Sequence, residues 1–517
     1  MILSDQILAH IGPGKVLKPL NDNMQLPEKV LQFGTGVLLR GLTDYFIDKA
    51  NRQGMFNGRV VVLKSTSKGG TNEFSAQDNL YTICIRGIED GKRIEENIIS
   101  SAISRVLQAD RDWLQVLQVG ASPALKLIVS NTTEVGIQLL NERIDQDVPV
   151  SFPAKLLAIL YERYLKLGSA QEADIVVVAT ELIPDNGRKL GEIVYQLANF
   201  NGLEPGFNNW LGSHVIFCNS LVDRIVPGRP EGAALTQLQK ELGYTDALLI
   251  KTEPYRLWAI EGGRRVSALL GLENADRGLI VEPDIEIYRE LKLRLLNGTH
   301  SLACALAFLS GVNTVNRAMT DGPLSAYIAG VMQEEIIPAI PYEIERERAM
   351  AFAQTVQDRF ANPYIDHFWL SISLQYTMKL RIRVVPVLLN YYKCFDKIPY
   401  AMALGFGAYL RFMRIIRKEG QCYYGSAGGE EYLITDEKAA RFFEWNGLED
   451  AEYVWTVLRD QELWGTDLTL LDGFAAAVAD RYVFISKEGA REMLKELYPK
   501  DNLGEKDGHN AAEAEHF

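Results

Sequence analysis

A short apolar strand, a glycine-punctuated turn, an amphipathic helix and a second apolar strand follow one another within residues 28–64, and no other stretch limits the fold as much. Lys29-Val30-Leu31-Gln32-Phe33 reads as a strand broken by Gly34-Thr35-Gly36. Over 37–50 the apolar residues Leu38, Leu39, Leu42, Tyr45, Phe46 and Ile47 recur at helical spacing, and 59–63 is the next strand. This is a βαβ unit, which demands a parallel sheet covered on both faces. The runs at 126–129, 175–179 and 215–217 are apolar without period-2 alternation, as strands buried on both faces should be. Helical patterns at 154–166 and 190–198 separate some of them. The reading is an α/β protein in which residues 1–283 form a Rossmann-like domain with a mainly parallel sheet.

Beyond Glu282-Pro283-Asp284 the texture changes. Amphipathic helical patterns at 285–296, 301–309, 343–360, 369–390, 401–416 and 436–444 dominate, and strand signals become rare. Residues 284–500 are therefore expected to form a mostly α-helical substrate domain, with 501–517 a polar tail. With 517 residues the chain is long enough for two large cores.

Charge and cysteine usage exclude several function classes. The net charge of −13 disfavours nucleic acid, whose binding needs basic patches. Cys84, Cys218, Cys304, Cys394 and Cys422 are scattered, with no CxxC pair, so free buried thiols are expected rather than disulfides or a zinc site. No basic, apolar leader opens the chain and no apolar run reaches membrane-spanning length, so a cytoplasmic location away from membranes is expected.

Two clusters carry chemistry. In the first, Gly34-Thr35-Gly36 between strand and helix lets backbone N–H groups approach a pyrophosphate. Leu39 stands where a full G-x-G-x-x-G fingerprint has its third glycine, so an ordinary tight turn fits equally well. Lys64-Ser65-Thr66 follows the second strand where an acidic residue often grips the adenosine ribose, which leaves NADP open beside NAD. Ser130 and Asn131 follow another strand, where they can line a nicotinamide site or simply make a turn.

The second cluster is Lys292-Leu-Arg-Leu-Leu-Asn297-Gly-Thr-His300. On a continuous helix of about 100° per residue, His300 lies about 80° from Lys292 and Asn297 about 140°. Alcohol dehydrogenation needs a base for the hydroxyl proton and donors for the developing oxyanion, and these residue types supply both. The alternative is a helix that stops at Asn297-Gly298 and restarts near Thr299. His367 can hold a substrate hydroxyl or serve as a structural histidine. Arg381 and Arg383, two places apart, lie on different helix faces, so at most one can neutralise a carboxylate.

Val281-Glu-Pro-Asp284 and Tyr288-Arg-Glu-Leu-Lys292-Leu-Arg-Leu-Leu-Asn297-Gly-Thr-His300-Ser301 resemble the Lys-x4-Asn-x2-His signature of the mannitol dehydrogenase family. The resemblance extends over nearly the whole chain: Phe33-Gly-Thr-Gly36 with Arg40, Val222-Asp223-Arg224, Glu253-Pro-Tyr-Arg-Leu-Trp258, and Asn362-Pro363 with Lys379. It implies a metal-independent, NAD-linked dehydrogenase. Lys292 would be the general base, Asn297 an oxyanion donor, and His300 would orient the substrate. Lys379 and Asp223 would lie at the substrate, and Phe33, Gly34, Gly36 and Arg40 at the cofactor. In Glu181-Leu182-Ile183-Pro184-Asp185-Asn186-Gly187, Leu182 replaces the second oxyanion asparagine of members acting on neutral polyols, and Ser371 replaces an expected substrate arginine. The segments Phe74-x-x-Gln77-Asp78-Asn79-Leu80-Tyr81-Thr82, Ile128 to Glu134 and Asp366-His367 resemble the family's sugar-acid branch. That resemblance implies interconversion of D-altronate and D-tagaturonate with NAD(H). Branches acting on fructuronate or neutral polyols are the nearest alternatives. A dinucleotide sensor without turnover is the alternative of another class, and the lysine, asparagine and histidine together speak against it. A sugar-acid anion would be met by Lys379, with Arg383 one turn on, sharing its face.

Overall fold

The computed structural model describes residues 1–12, 14, 16–65, 71–132 and 136–499. Thr66, Thr133, Glu134 and the tail 501–517, with His509 and His516, lie outside the described residues. The chain divides into two compact units, one of Met1–Gly87 with Lys92–Ile285, the other of Ile88–Gly91 with the chain from Glu286 onward.

The first unit is built on a six-stranded sheet of β1 (Glu28–Phe33), β2 (Arg59–Lys64), β3 (Ile103–Gln108), β4 (Leu127–Ser130), β5 (Ile175–Ala179) and β6 (Val215–Cys218). Its order is β3-β2-β1-β4-β5-β6, every pair parallel. This is the doubly wound order, with its switch point between β1 and β4. Alternate residues feed two separate cores. Val30, Val60, Val62, Val129 and Val176 pack towards Phe46 and Trp258. Leu31, Phe33, Val61, Leu63 and Ile128 pack towards Phe152 and Leu156. Burial on both faces is why these strands read as unbroken apolar runs.

The helix expected over 37–50 is two helices, α1 (Val37–Gly41) and α2 (Thr43–Arg52), broken at Leu42. Leu42 N bonds to Leu39 O at 3.2 Å, and the Thr43 hydroxyl takes the same carbonyl at 3.0 Å, so the turn tightens and the axis shifts. The patterns at 154–166 and 190–198 are α3 (Phe152–Leu167) and α4 (Asn186–Phe200). A further three-stranded sheet includes β7 (Ser220–Asp223) and β8 (Leu257–Glu261).

The second unit is mostly helical around one core. α5 (Glu286–Leu291) runs through a π-helical turn, Lys292–Gly298, straight into α6 (Thr299–Leu309). The chain therefore does not stop at Asn297-Gly298: Gly298 and Thr299 both keep helical backbone angles. α7 is Arg346–Phe360. The single helix expected over 369–390 is three: α8 (Trp369–Ile372), α9 (Tyr376–Arg383) and α10 (Val385–Cys394). Gln375, at φ 53°, breaks the first junction, and Pro386, with no N–H to give, forces the second.

α11 (Tyr400–Phe412) ends earlier than expected because Ile416 N turns to Tyr424 O and starts a small antiparallel sheet. Its strands are Arg417–Glu419, Cys422–Ala427 and Glu430–Ile434. α12 (Ala439–Glu444) and α13 (Phe474–Glu488) follow. At Gly407 a methyl group would sit 2.9 Å from Arg481 Cβ, so only glycine lets α11 pack this closely on α13. All five cysteines are free, but Cys394 and Cys422 are exposed, contrary to the expectation of burial, because each sits at an element edge away from the core. Among the described residues no helix is long and apolar enough to cross a membrane.

Candidate active site

In the first unit the turn after β1 lies at the switch point. Gly34 adopts φ 123°, and a methyl group there would stand 3.3 Å from Asn131 O and 3.4 Å from Leu39 Cδ1. The β1 and β4 turns thus touch through backbone, which requires glycine. Gly36 is different: a methyl group at Gly36 would meet no protein atom within 4 Å. Backbone is therefore open to a ligand where a dinucleotide pyrophosphate sits in this strand order.

A buried carboxylate shapes the facing turn. Glu181 accepts hydrogen bonds from Ser130 Oγ (3.1 Å), Thr132 N (2.9 Å) and Thr132 Oγ1 (2.9 Å). Asn131 Nδ2 donates to Thr180 Oγ1 at 2.9 Å and Thr180 O at 3.2 Å. Ser130 and Asn131 thereby form a rigid wall whose side chains already have protein partners. Glu181 was legible only as part of a motif, not as its anchor. At the end of β2, Ser65 Oγ is buried with no hydrogen-bond partner among the described residues, an orphan that a ribose hydroxyl would satisfy. These features fit a dinucleotide.

Phe33 and Arg40 offer less than expected. The Phe33 ring is fully buried, 4.7 Å from Phe152, so only its backbone borders the turn. Arg40 turns inward: it donates to Leu248 O and lies over the Phe74 and Tyr81 rings, where burial pushes its pKa down. Asp223, at the end of β7, is buried. Its neighbour Arg224 ties Glu253 O to Gly41 O and stacks 4.5 Å over Tyr45, so the arginine of that motif holds the fold.

In the second unit the π-helical turn sets the geometry of the lysine cluster. A turn closed by i→i+5 bonds stacks residue i beneath residue i+5. Lys292 and Asn297, about 140° apart on an α-helix, therefore share one face, and both are half-buried. His300 follows one turn later and is 9% exposed, stacked 4.2 Å from Phe360, with His367 at 5.3 Å and Trp369 at 6.0 Å, both edge-on. Among the described residues its Nε2 has no hydrogen-bond partner, and neither has Trp369 Nε1. Burial holds the His300 pKa well below the ordinary histidine value, reinforced by His367, Arg383, Arg359 and Lys379. His367 is lowered by burial and then by Lys379. Both rings are thus neutral near pH 7.

Lys379 and Arg383 share one face of α9. Lys379 Nζ donates to Ile372 O at 2.8 Å, and Arg383 Nη1 donates to Ser301 Oγ (3.1 Å) and Asn297 O (3.4 Å). Among the described residues no carboxylate pairs with either, and burial lowers both pKa values, that of Arg383 to about 10. Among the described residues nothing is hydrogen-bonded to the Nε–Nη2 edge of Arg383, the edge that grips a carboxylate in two-pronged fashion. Arg381 instead reaches Glu462 O at 3.3 Å. Arg359 on α7, a third cation near His300, carried no motif and was missed. Among the described residues no group of three His, Cys, Asp or Glu side chains could hold a metal ion.

The mannitol dehydrogenase Rossmann domain is matched over residues 28–274, and the mannitol dehydrogenase C-terminal domain over residues 284–485. The chain belongs to the mannitol dehydrogenase family. It is accordingly a dehydrogenase acting on a CH–OH group. Among the relatives it resembles within the mannitol dehydrogenase family is altronate oxidoreductase of Halalkalibacterium halodurans, 37% identical over 481 residues, 91% of this chain and 93% of the relative. Altronate oxidoreductase of Yersinia enterocolitica is 34% identical over 480 residues, 90% of this chain and 96% of the relative. Among solved structures, Pseudomonas fluorescens mannitol 2-dehydrogenase in ternary complex with NAD and D-mannitol shares the fold at TM-score 0.65 and 23% identity, covering 97% of this chain and 100% of that one. A substrate-free D-sorbitol dehydrogenase does so at TM-score 0.76 and 21% identity, with 96% and 100% covered. The mannitol dehydrogenase fold thus spans both units.

Proposed function

We propose that the protein is a tagaturonate reductase (altronate oxidoreductase), which interconverts D-altronate and D-tagaturonate with NAD(H). One observation carries the choice of a sugar acid: two partly buried cations, Lys379 and Arg383, stand beside a neutral His300 with no carboxylate partner among the described residues. Partly dry cations without counter-charge are costly, and a substrate anion would compensate them. The names of the relatives at 34–37% identity support the same reading. So does Leu182, which is exposed where a polyol-type site would present an amide.

In this reading Lys292 takes the hydroxyl proton of altronate as the carbinol carbon becomes a ketone. Asn297 donates to the developing oxyanion, free to do so because its side-chain amide has no protein partner among the described residues. Neutral His300 orients the substrate, with His367 at a hydroxyl, and Lys379 and Arg383 hold the carboxylate. Gly34, Gly36 and the wall of Ser130 and Asn131 would hold NAD, which when bound accepts or returns the hydride. No metal is required, and the enzyme works in the cytoplasm. Mixing the purified protein with NADH and tagaturonate tests this: NADH absorbance should fall. Faster turnover of fructuronate or fructose than of tagaturonate would overturn the assignment, and binding of NADH without turnover of any of them would favour a sensor.

A further inference from the structure

α9 is pinned to the Lys292 helix at both ends by side chains outside the substrate set. At its N-terminal end the Tyr376 hydroxyl is inserted into the α6 ladder, donating to Ser301 O at 2.6 Å and accepting from Ala305 N at 3.0 Å. At its C-terminal end Arg294 Nη1 donates to Ile382 O at 2.6 Å and Arg383 O at 3.0 Å. Ile382 O needs this donor. Its helical partner would be the N–H of residue 386, and that residue is proline.

The remaining edge of Arg294 is itself fixed. Nε and Nη2 form a fork onto Glu290, at 2.9 and 3.1 Å. Both residues are nearly out of solvent, Arg294 at 7% and Glu290 at 9% exposure. In the opposite direction Arg383 reaches back to Asn297 O and Ser301 Oγ. The two helices therefore exchange arginines, one into each backbone. A buried ion pair adds little net stability over an apolar pair of the same shape, and its best-supported use is to fix register.

We propose that Arg294, held by Glu290, is a positioning residue for the reaction. It sets the register of α9 against Lys292–Gly298, so that Lys379 and Arg383 address the same substrate molecule as Asn297 and His300. This rests on the reading of Lys379 and Arg383 as the carboxylate site.

The test compares Arg294→Met and Glu290→Gln with the wild type in melting temperature, steady-state kinetics and amide hydrogen exchange followed by mass spectrometry. Arg294→Met leaves Glu290 buried without its partner and should melt below the wild type, so its kinetics and exchange are read well below its own melting temperature. Its kcat/KM for tagaturonate should fall at least tenfold with NADH affinity unchanged. Exchange in the 376–383 peptide should quicken at least tenfold, while the 400–412 peptide stays as it was. Glu290→Gln, which keeps the shape and weakens the fork, should move the same readouts by about threefold. Normal kinetics and normal exchange at 376–383 in the folded variants would overturn the proposal, as would equal quickening of both peptides with kinetics unchanged. If Arg294→Met does not fold, Glu290→Gln decides by the same criteria. A wild type inactive on tagaturonate would sink the proposed substrate instead, and the exchange rates would still judge the clamp.

Discussion

Replacing Lys379 by methionine keeps most of the unbranched side chain and removes its terminal charge. The ammonium gives one hydrogen bond to Ile372 O, which leaves two donors for a ligand. It is half-buried, and burial followed by the nearby Arg383 charge lowers its pKa, so a carboxylate arriving there meets a poorly solvated cation. A fully exposed pair would contribute about 0–1 kcal/mol. A charge-assisted bond in a partly dry site contributes about 1.5–3 kcal/mol, a factor of roughly 10 to 100 in affinity. Arg383 stays in place, so the lower end applies: KM for tagaturonate should rise about tenfold or more. A neutral ketose has no carboxylate to lose, and its kcat/KM should change by less than about threefold. The assay is NADH loss at varied concentrations of each substrate, wild type against variant, at constant ionic strength. Equal losses on charged and neutral substrates would refute the assignment of Lys379 to the carboxylate and leave Arg383 or Arg359 to read it.

Lys292→Ala should lower turnover by about two to four orders of magnitude, the span of a lost general base, with NADH affinity nearly unchanged; near-normal turnover would remove Lys292 from that role. Prolonged EDTA treatment should leave activity intact; loss of activity restored by zinc would contradict the metal-free mechanism. His300 gives a pH dependence whose sign is fixed by its lowered folded pKa. Below its ordinary value near 6.5 the unfolded chain takes up a proton that the folded site, facing His367, Arg383, Arg359 and Lys379, refuses. Stability from this residue is thus complete above about pH 7 and falls as the pH drops below about 6.5. Urea midpoints at pH 7.5 and 5.5 should differ less for His300→Gln than for the wild type, and identical differences would rule out His300 as the source.

The sheet was readable because both its faces are buried: Val60–Leu63 and Ile175–Ala179 have no polar side to obscure the pattern. Where the sequence misled, tertiary contacts outweighed periodicity. Residues 369–390 carry a helical stripe throughout, yet Pro386 and the left-handed Gln375 cut it into three. Pro386 was a visible stop signal; Gln375 was not, since nothing in glutamine favours that conformation. Gly420, Gly428 and Gly429 punctuate the small antiparallel sheet, but strands this short give little alternation to count. The candidate site residues were nameable from the sequence, and the directions of their side chains were not. Phe33 and Arg40 sit beside the glycine turn in sequence, yet both point into the core. Whether Lys292 and Asn297 share a face depends on a π-helical turn that the apolar spacing of Leu291, Leu295 and Leu296 does not distinguish from an α-helix.

The contact between Gly34 and Asn131 also bears on how the molecule assembles. β1 lies in the interior of the sheet, and its two neighbours follow it at different distances along the chain, β2 soon after it and β4 only beyond β3, which flanks β2. Pairing across such separations is slow, because the loop must close before any contact rewards it. The close approach of Gly34 to Asn131 therefore needs both halves of the sheet to have met. A nucleotide that binds only the joined sheet would raise the stability of the finished unit by mass action.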